Sequence, residues 1–199
     1  TGHDNPFRLR IEGEDAAADW LGFLNQPAKY RVAGKRVAVI GGGAVAADCA
    51  ETAVAAGAER VELFALEKLS EMPLTGKELK GILEAGVHVN GRISVTAIES
   101  RKGRVDCLCT VKVGLPKGKA FHPSLVRPVK GTELCRKDFD VVIVAIGARP
   151  SFKPEGRRGV FFAGDVVNGP KTVVEASAAG KNAAIEVDLT GQVCADSLG

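Results

Sequence analysis

At 199 residues the chain is long enough to bury a substantial core as one large domain or two small ones, with no need of disulfide or metal staples. Hydrophobic residues at 45% and charged residues at 26% form an ordinary soluble balance, and no apolar run nears the roughly 18 residues a bilayer crossing needs, so no membrane span is expected. A net charge of +3, dispersed along the chain, is too small to argue for nucleic acid.

The N-terminus, "TGHDNPFRLR", has no basic start followed by an apolar stretch, so no secretory signal is read; opening on Thr1 rather than Met suggests a piece of a longer protein. Residues 14–26 place Ala18, Leu21 and Leu24 on one helical face and predict a short helix. In "KRVAVIGGGAVAADCAETAVAAGAERVELFAL" a buried strand over residues 36–40 enters a Gly loop, an Ala-rich helix follows, Gly57 closes it, and a second strand starts near Arg60. This is a βαβ unit. Thr75 is placed to cap a helix running to Ala85, Gly86 ends it, and "VHV" starts another strand. From 92 to 135 alternating segments broken by Gly and Pro predict an antiparallel meander. "FDVVIVAIG" returns to an unbroken apolar strand of the kind buried on both faces. "VFFAGD" predicts one more strand, and residues 171–188 a final helix.

Within "VAVIGGGAVAAD" the pattern GxGxxG/A falls on Gly41, Gly43 and Ala46, with Gly42, Ala44 and Val45 between them. The first position permits the tight turn, the second lets a pyrophosphate approach the backbone, and the third packs helix against strand. Helix N-terminal amides then face the phosphates. A lone Gly pattern is weak evidence, but one that follows a strand and opens a helix has the required context. About 20 residues on, a carboxylate would read the adenosine ribose. Glu67 in "LFALEK" is the nearest one; beside Lys68 it reads equally as a solvated loop charge, and the residues alone leave both open.

Four stretches in order, "VIGGGAVAADCAETAVAAGA", "EMPL", "DVVIVAIGARP" and "GVFFAGDVVNGPKTVVEASAAGKNAA", resemble the pyridine-nucleotide and flavin region of the glutamate synthase small-subunit type, whose relatives include the flavin domains of dihydropyrimidine dehydrogenase. The resemblance covers nearly the whole chain. It implies an α/β fold: a Rossmann-like NAD(P)-binding domain over residues 7–147, with a parallel sheet and an antiparallel β-meander, inserted into a split FAD-binding domain. Residues 1–6 and 148–190 would be the C-terminal remnant of that FAD domain, and 191–199 a tail. Thr1-Gly2 and "AIGARP", which holds Ile146 and Gly147, would be the two crossings. By the same resemblance, Gly164 and Asp165 would meet the flavin's ribityl chain, and the helix start at Thr172 and Val173 would face the flavin ring. The implied activity is that of a flavin-dependent NAD(P)H oxidoreductase moving hydride between nicotinamide and FAD. Electrons would pass to an iron–sulfur or ferredoxin-type acceptor or partner subunit, in the cytoplasm, with no catalytic side chain required. The alternative is a non-catalytic NAD-binding sensor or assembly module. Where the family often has "YRR", suited to a 2′-phosphate, this chain has Ala65-Leu66-Glu67, which favours NAD over NADP. The family's frequent Asn after the loop's third Gly is Ala44 here.

Five cysteines (Cys49, Cys107, Cys109, Cys135 and Cys194), odd in number and unevenly spaced, are expected to be reduced thiols. Cys107 and Cys109 form a CxC on a strand; with no further CxxC or His pair to complete four ligands they read as packing residues. His88 and His122 read as structural. Met72-Pro73 either shapes a loop over the nicotinamide or starts the next helix. The Lys- and Arg-rich segment 112–137 reads as the solvated side of a hairpin rather than a dock for an acidic partner.

Overall fold

A computed structural model describes residues 4–152, 160–169 and 173–190, and it divides the chain into two units. The larger is Pro6–Gly147; the smaller joins the described residues of 1–5 and 148–199.

After β1 (Asn5–Pro6), the segment into the larger unit is folded back by one buried carboxylate: Glu14 accepts the backbone amides of Leu9 and Arg10, each at 2.8 Å. The helix expected over 14–26 is shorter than its periodicity suggested. A 3₁₀ turn (Glu14–Ala16) and an edge strand β2 (Ala18–Asp19) come first, and α1 covers only Trp20–Asn25. Asp19 decides this, because its carboxylate accepts the Gly22 amide at 2.8 Å and starts the helix there.

The βαβ unit follows as β3 (Arg36–Ile40), α2 (Ala44–Ala55) and β4 (Arg60–Ala65). Ala46, Ala47, Ala50 and Ala53 of α2 are fully buried, and such small side chains let the helix lie close on the sheet. Next is α3 (Gly76–Glu84), opened by a reciprocal pair in which Thr75 Oγ accepts the Glu78 amide and the Glu78 carboxylate accepts the Thr75 amide. It leads to β5 (His88–Gly91). The long hairpin β6 (Ile93–Arg101) and β7 (Arg104–Gly114) comes next, then β8 (Arg127–Pro128), β9 (Leu134–Arg136) and β10 (Val141–Val144).

Strands β2 to β10 form two sheets. One is parallel, in the order β2-β10-β3-β4-β5. The other is antiparallel, but it is not a plain meander: β7 is central, β6 lies on one edge, and both β8 and β9 pair with the other. Alternation along β3 sends Val37 and Val39 into a core shared with the helices, and Ala38 and Ile40 into a second core against the antiparallel sheet. The second core holds Val95, Ile98, Leu108, Phe139 and Val142. The central strands β3 and β10 are thus covered on both faces, which accounts for their unbroken apolar sequences.

In the smaller unit β11 (Ala148–Arg149) pairs with β1, and the Asp4 carboxylate accepts the Ser151 amide and hydroxyl, both at 2.8 Å. Residues 160–163 form no strand, contrary to the reading of "VFFAGD"; a strand is defined by its ladder, and among the described residues none pairs with this segment. Then come α4 (Asp165–Asn168) and α5 (Val173–Thr190).

Candidate functional site

In the parallel sheet β3 has β4 on one side and β10 on the other, and the chain reaches β10 only after the antiparallel sheet. The strand order therefore reverses at β3, and the crevice beyond the carboxyl ends of such strands is where open α/β sheets bind ligands. A cavity of about 530 Å³ lies there. Its floor is Gly41, Gly42, Gly43, Ala44 and Val45; Ile40, Phe64, Leu66 and Glu67 form one side; Ala145, Ile146 and Gly147 close the other. Leu9, Pro73, Ile93, Ser94, Val95 and Pro123 complete the lining.

The glycines of the loop are needed for different reasons. Gly41 has φ +146°, and a Cβ there would strike the carbonyl oxygen of Ala145 on the neighbouring strand end. Gly42 is crowded by Glu67, whose Oε2 would lie 2.6 Å from a Cβ. Gly43 has neither problem, since its Cβ would meet only Pro73 Cγ at 4.0 Å. The protein's own packing does not require glycine at 43, so the open space there fits a group that approaches the backbone from the cavity. Gly43 is also the N-cap of α2 and brings no side chain to cap it, leaving the first-turn amides directed at the same space. Ala46 does not line the cavity; it is fully buried behind the loop, where Gly41 needs a small neighbour.

Glu67 is half-buried at the rim, and its loop is pinned by a residue that sequence reading missed. Arg92 donates to the Leu66 carbonyl at 2.9 Å and to Glu71 at 2.8 Å, its amide reaches the Glu67 carbonyl at 3.0 Å, and its guanidinium lies over Phe121. No local pattern around "NGRIS" announces that role. On the opposite rim the Gly147 carbonyl accepts from the Phe7 amide at 2.9 Å and from Trp20 Nε1 at 3.2 Å. Of Met72-Pro73, Met72 is in the helix-side core and Pro73 faces the cavity.

Beneath Glu67, β4 carries a buried carboxylate, Glu62. Arg136 of β9 grips it with both terminal nitrogens at 2.7 and 2.8 Å, Asn90 of β5 donates at 3.0 Å, and Arg60 stands at 3.2 Å. Burial works to raise the Glu62 carboxyl, but the Arg136 fork, the Asn90 amide and the guanidinium charges outweigh it and hold it below the ordinary carboxylate range. Asp138, hydrogen-bonded by Arg136 and Arg60, is pulled down to about 2. Arg136 also stacks over Phe139 at 4.5 Å. Its charge is therefore committed to structure, although it lies in the basic segment 112–137. His88 and His122 are exposed, and His122 caps a short turn through Ser124.

The expectation that all cysteines are reduced thiols is corrected. Cys109 and Cys135 sit directly opposite one another on β7 and β9 and form a disulfide. The sequence hid the pair because its members are 26 residues apart and meet only through strand register. Cys49 and Cys107 are free and buried, and burial pushes the Cys49 thiol up to about 12. Cys194 lies outside the described residues.

In the smaller unit Gly164 has φ +78° and caps α4, whose first residue is Asp165; both line a small hollow with Asn168, Glu175 and Ala176. Val173 opens α5 and is exposed, while Thr172 and the crossing at Thr1-Gly2 lie outside the described residues.

The pyridine nucleotide-disulphide oxidoreductase family matches residues 1–157. The chain is 32% identical to the NADP(+)-dependent formate dehydrogenase subunit beta of Moorella thermoacetica over 94% of its own length and 30% of that protein's. It is 30% identical to the glutamate synthase [NADPH] small chain of Escherichia coli K12, over 76% of this chain and 38% of that one. To the NAD-dependent dihydropyrimidine dehydrogenase subunit PreT of E. coli O157:H7 it is 31% identical, over 73% and 34%. The chain thus spans about a third of these relatives. Among solved structures, T. acidophilum thioredoxin reductase superposes with a TM-score of 0.70 at 19% identity, over 96% of this chain and 64% of that one. The fold is accordingly that of the thioredoxin reductase type, α/β with a parallel sheet and antiparallel strands.

Proposed function

This chain belongs to the pyridine nucleotide-disulphide oxidoreductase family, and from that premise we propose that it is part of a flavin-dependent NAD(P)H oxidoreductase. In this reading Pro6–Gly147 is the nicotinamide nucleotide domain and the smaller unit is the C-terminal part of a split FAD domain. The carrying observation is the cavity at the strand-order reversal, whose floor keeps a glycine at 43 that the protein's own atoms do not demand.

Hydride exchange between nicotinamide and flavin is the chemistry those cofactors supply when bound. The tasks of this chain are binding, orientation and exclusion of water. The amides of Ala44 and Val45 would meet the pyrophosphate, with Gly41, Gly42 and Gly43 giving it room. Glu67 would accept from the adenosine ribose 2′-hydroxyl and repel a 2′-phosphate, so NAD is favoured over NADP. Of the three relatives named above, two specify NADP(H) and one NAD. Ile146 and Gly147, anchored by Phe7 and Trp20, would meet the nicotinamide end. In the smaller unit Gly164 and Asp165 would face the ribityl chain, and Thr172 and Val173 the flavin ring. The apolar surface of that unit would be covered by the remainder of the FAD domain. Electrons would leave to an iron–sulfur or ferredoxin-type partner in the cytoplasm. By itself this chain would bind NADH weakly, keep little FAD and turn over little or not at all.

Calorimetric titration of NADH and NADPH against the chain and its Glu67→Arg variant tests the reading. The expected result is tighter binding of NADH by the parent, with the preference reversed in Glu67→Arg. Equal indifference of both proteins to both nucleotides would sink the assignment, and retention of the preference after the substitution would remove Glu67 from it. A longer protein that includes the rest of the proposed FAD domain is expected to be yellow and to be bleached by NADH; nucleotide binding without flavin in that protein would instead fit the sensor module.

A further inference from the structure

The antiparallel sheet gathers three sulfurs that the nucleotide reading does not use. Cys107 and Cys109 are two residues apart on β7 and so emerge on the same face, and Cys135 is the direct partner of Cys109 across to β9. Their three sulfur atoms lie within 4.8 Å of one another. On the other side of β7, Glu99 of β6 is the register partner of Cys107 and therefore shares that face, and its Oε1 lies 3.8 Å from Cys109 Sγ. The cluster runs from buried Cys107 through half-buried Cys109 to exposed Cys135 and Glu99, so it is anchored at one end and open to solvent at the other.

Three thiolates and a carboxylate form a donor set for a tetrahedral d¹⁰ ion. Thiolates bound to zinc at about 2.3 Å stand about 3.8 Å apart in a tetrahedron, so the observed grouping needs little movement to close on a metal. The disulfide now holds two of the three sulfurs. Attack by a dithiol breaks the Cys109–Cys135 bond, passes two electrons to the two sulfurs, leaves both as thiols and converts the dithiol to its own disulfide. We propose that the cluster so released binds one Zn²⁺ through Cys107, Cys109 and Cys135, with Glu99 in the fourth position, the three thiol protons going to water. Bridge and metal are alternative clasps for the same contact. Either one ties β9 to β7 and so keeps Arg136, the next residue after Cys135, on Glu62. In a reducing compartment the disulfide is the less durable of the two.

Metal binding by the full chain tests this directly. The protein is reduced with a phosphine under anaerobic conditions, desalted, and titrated with Zn²⁺ alone and in parallel with Co²⁺ as the coloured substitute. Expected are retention of about one equivalent of zinc after desalting, and a Co²⁺ form with thiolate-to-metal charge-transfer bands and the visible bands of a tetrahedral site. The oxidised protein should retain none. Cys135→Ser, at an exposed position outside both cores, should weaken binding by more than the roughly 10–100-fold that loss of even an outer-shell partner costs, and Cys49→Ser should leave it unchanged. Equal zinc retention by reduced and oxidised protein overturns the proposal, as does a Co²⁺ spectrum without charge transfer, or full affinity in Cys135→Ser. Unchanged affinity in Glu99→Ala removes Glu99 from the fourth position. Cys107→Ser should lose the charge-transfer bands in part, and the Co²⁺ spectrum of the unsubstituted chain reads the site even if that buried variant fails to fold.

Discussion

The two units of this chain bury their apolar residues very differently. In Pro6–Gly147 two cores sandwich the parallel sheet, and Phe23, Leu63, Ile82, Ile98, Leu108 and Ile143 are fully buried. In the smaller unit Val187 is the one buried hydrophobic residue among those described, while Val173 is 83% and Val174 77% exposed, with Phe152, Val160, Phe161, Val167 and Ile185 also open. Isolated exposed apolar residues need no explanation, but this concentration does. On the proposed reading, a larger unit with two cores of its own and a smaller one whose described apolar residues lie mostly open are what an inserted domain and an interrupted one would show. The difference is measurable by substitution.

The largest effect is expected in the larger unit. Removing Arg136 as Arg136→Ala takes the two-pronged fork from the buried Glu62 carboxylate and leaves it Asn90 and Arg60, a loss that approaches the cost of a broken buried pair, about 3–5 kcal/mol. Denaturant unfolding should show the loss, and the double variant with Glu62→Ala should recover part of it, because part of the penalty lies in the buried charge left under-compensated. An additive double variant would mean that the fork is not coupled as drawn.

Next is a change that separates stability from binding. Gly43→Ala meets only Pro73 Cγ at 4.0 Å, so unfolding should move by less than about 1 kcal/mol, the scale of an N-cap change. NADH affinity should nevertheless fall at least about tenfold, or about 1.4 kcal/mol. Gly41→Ala should instead cost both, given its φ of +146° and the Ala145 carbonyl in the way. Identical behaviour of the two variants would show that the loop's glycines serve packing alone.

Acid should weaken the same unit by a smaller step. Asp138 is held at about 2 by Arg136 and Arg60, below its unfolded value. A depressed carboxylate contributes stability that is present above the unfolded pKa and lost as pH falls through the folded one, so this share should disappear between about pH 4 and pH 2. Unfolding midpoints of the parent and of Asp138→Asn should converge across that window.

Much of this architecture was legible because its signals are local. The buried strand, Gly loop and Ala-rich helix at 36–55, and the Thr75 cap, depend on residues close in sequence. What escaped depends on distant partners. Arg136 meets Glu62 across 74 positions, and Cys135 meets Cys109 only once β9 has chosen its register. Arg92 is missed for the same reason, since its acceptors are on the loop after β4. Two readings failed through ambiguity rather than distance. "VFFAGD" has the apolar run of a strand but no ladder, and Ala18 keeps helical spacing although Asp19 starts the helix after it.

The smallest expected effect is also the sharpest test of the comparison. Val173→Ser removes an exposed valine at the start of α5, and within this chain the change should stay inside about 0.5 kcal/mol, because little burial is lost. In a protein that includes the rest of the proposed FAD domain the same side chain would be covered, and burying an aliphatic side chain of this size is worth about 1.5–3 kcal/mol. Measured in both settings, the substitution should therefore be silent in one and destabilising in the other. A silent result in both would mean that Val173 faces solvent whatever surrounds it, and that the interrupted unit leaves this surface open for another purpose.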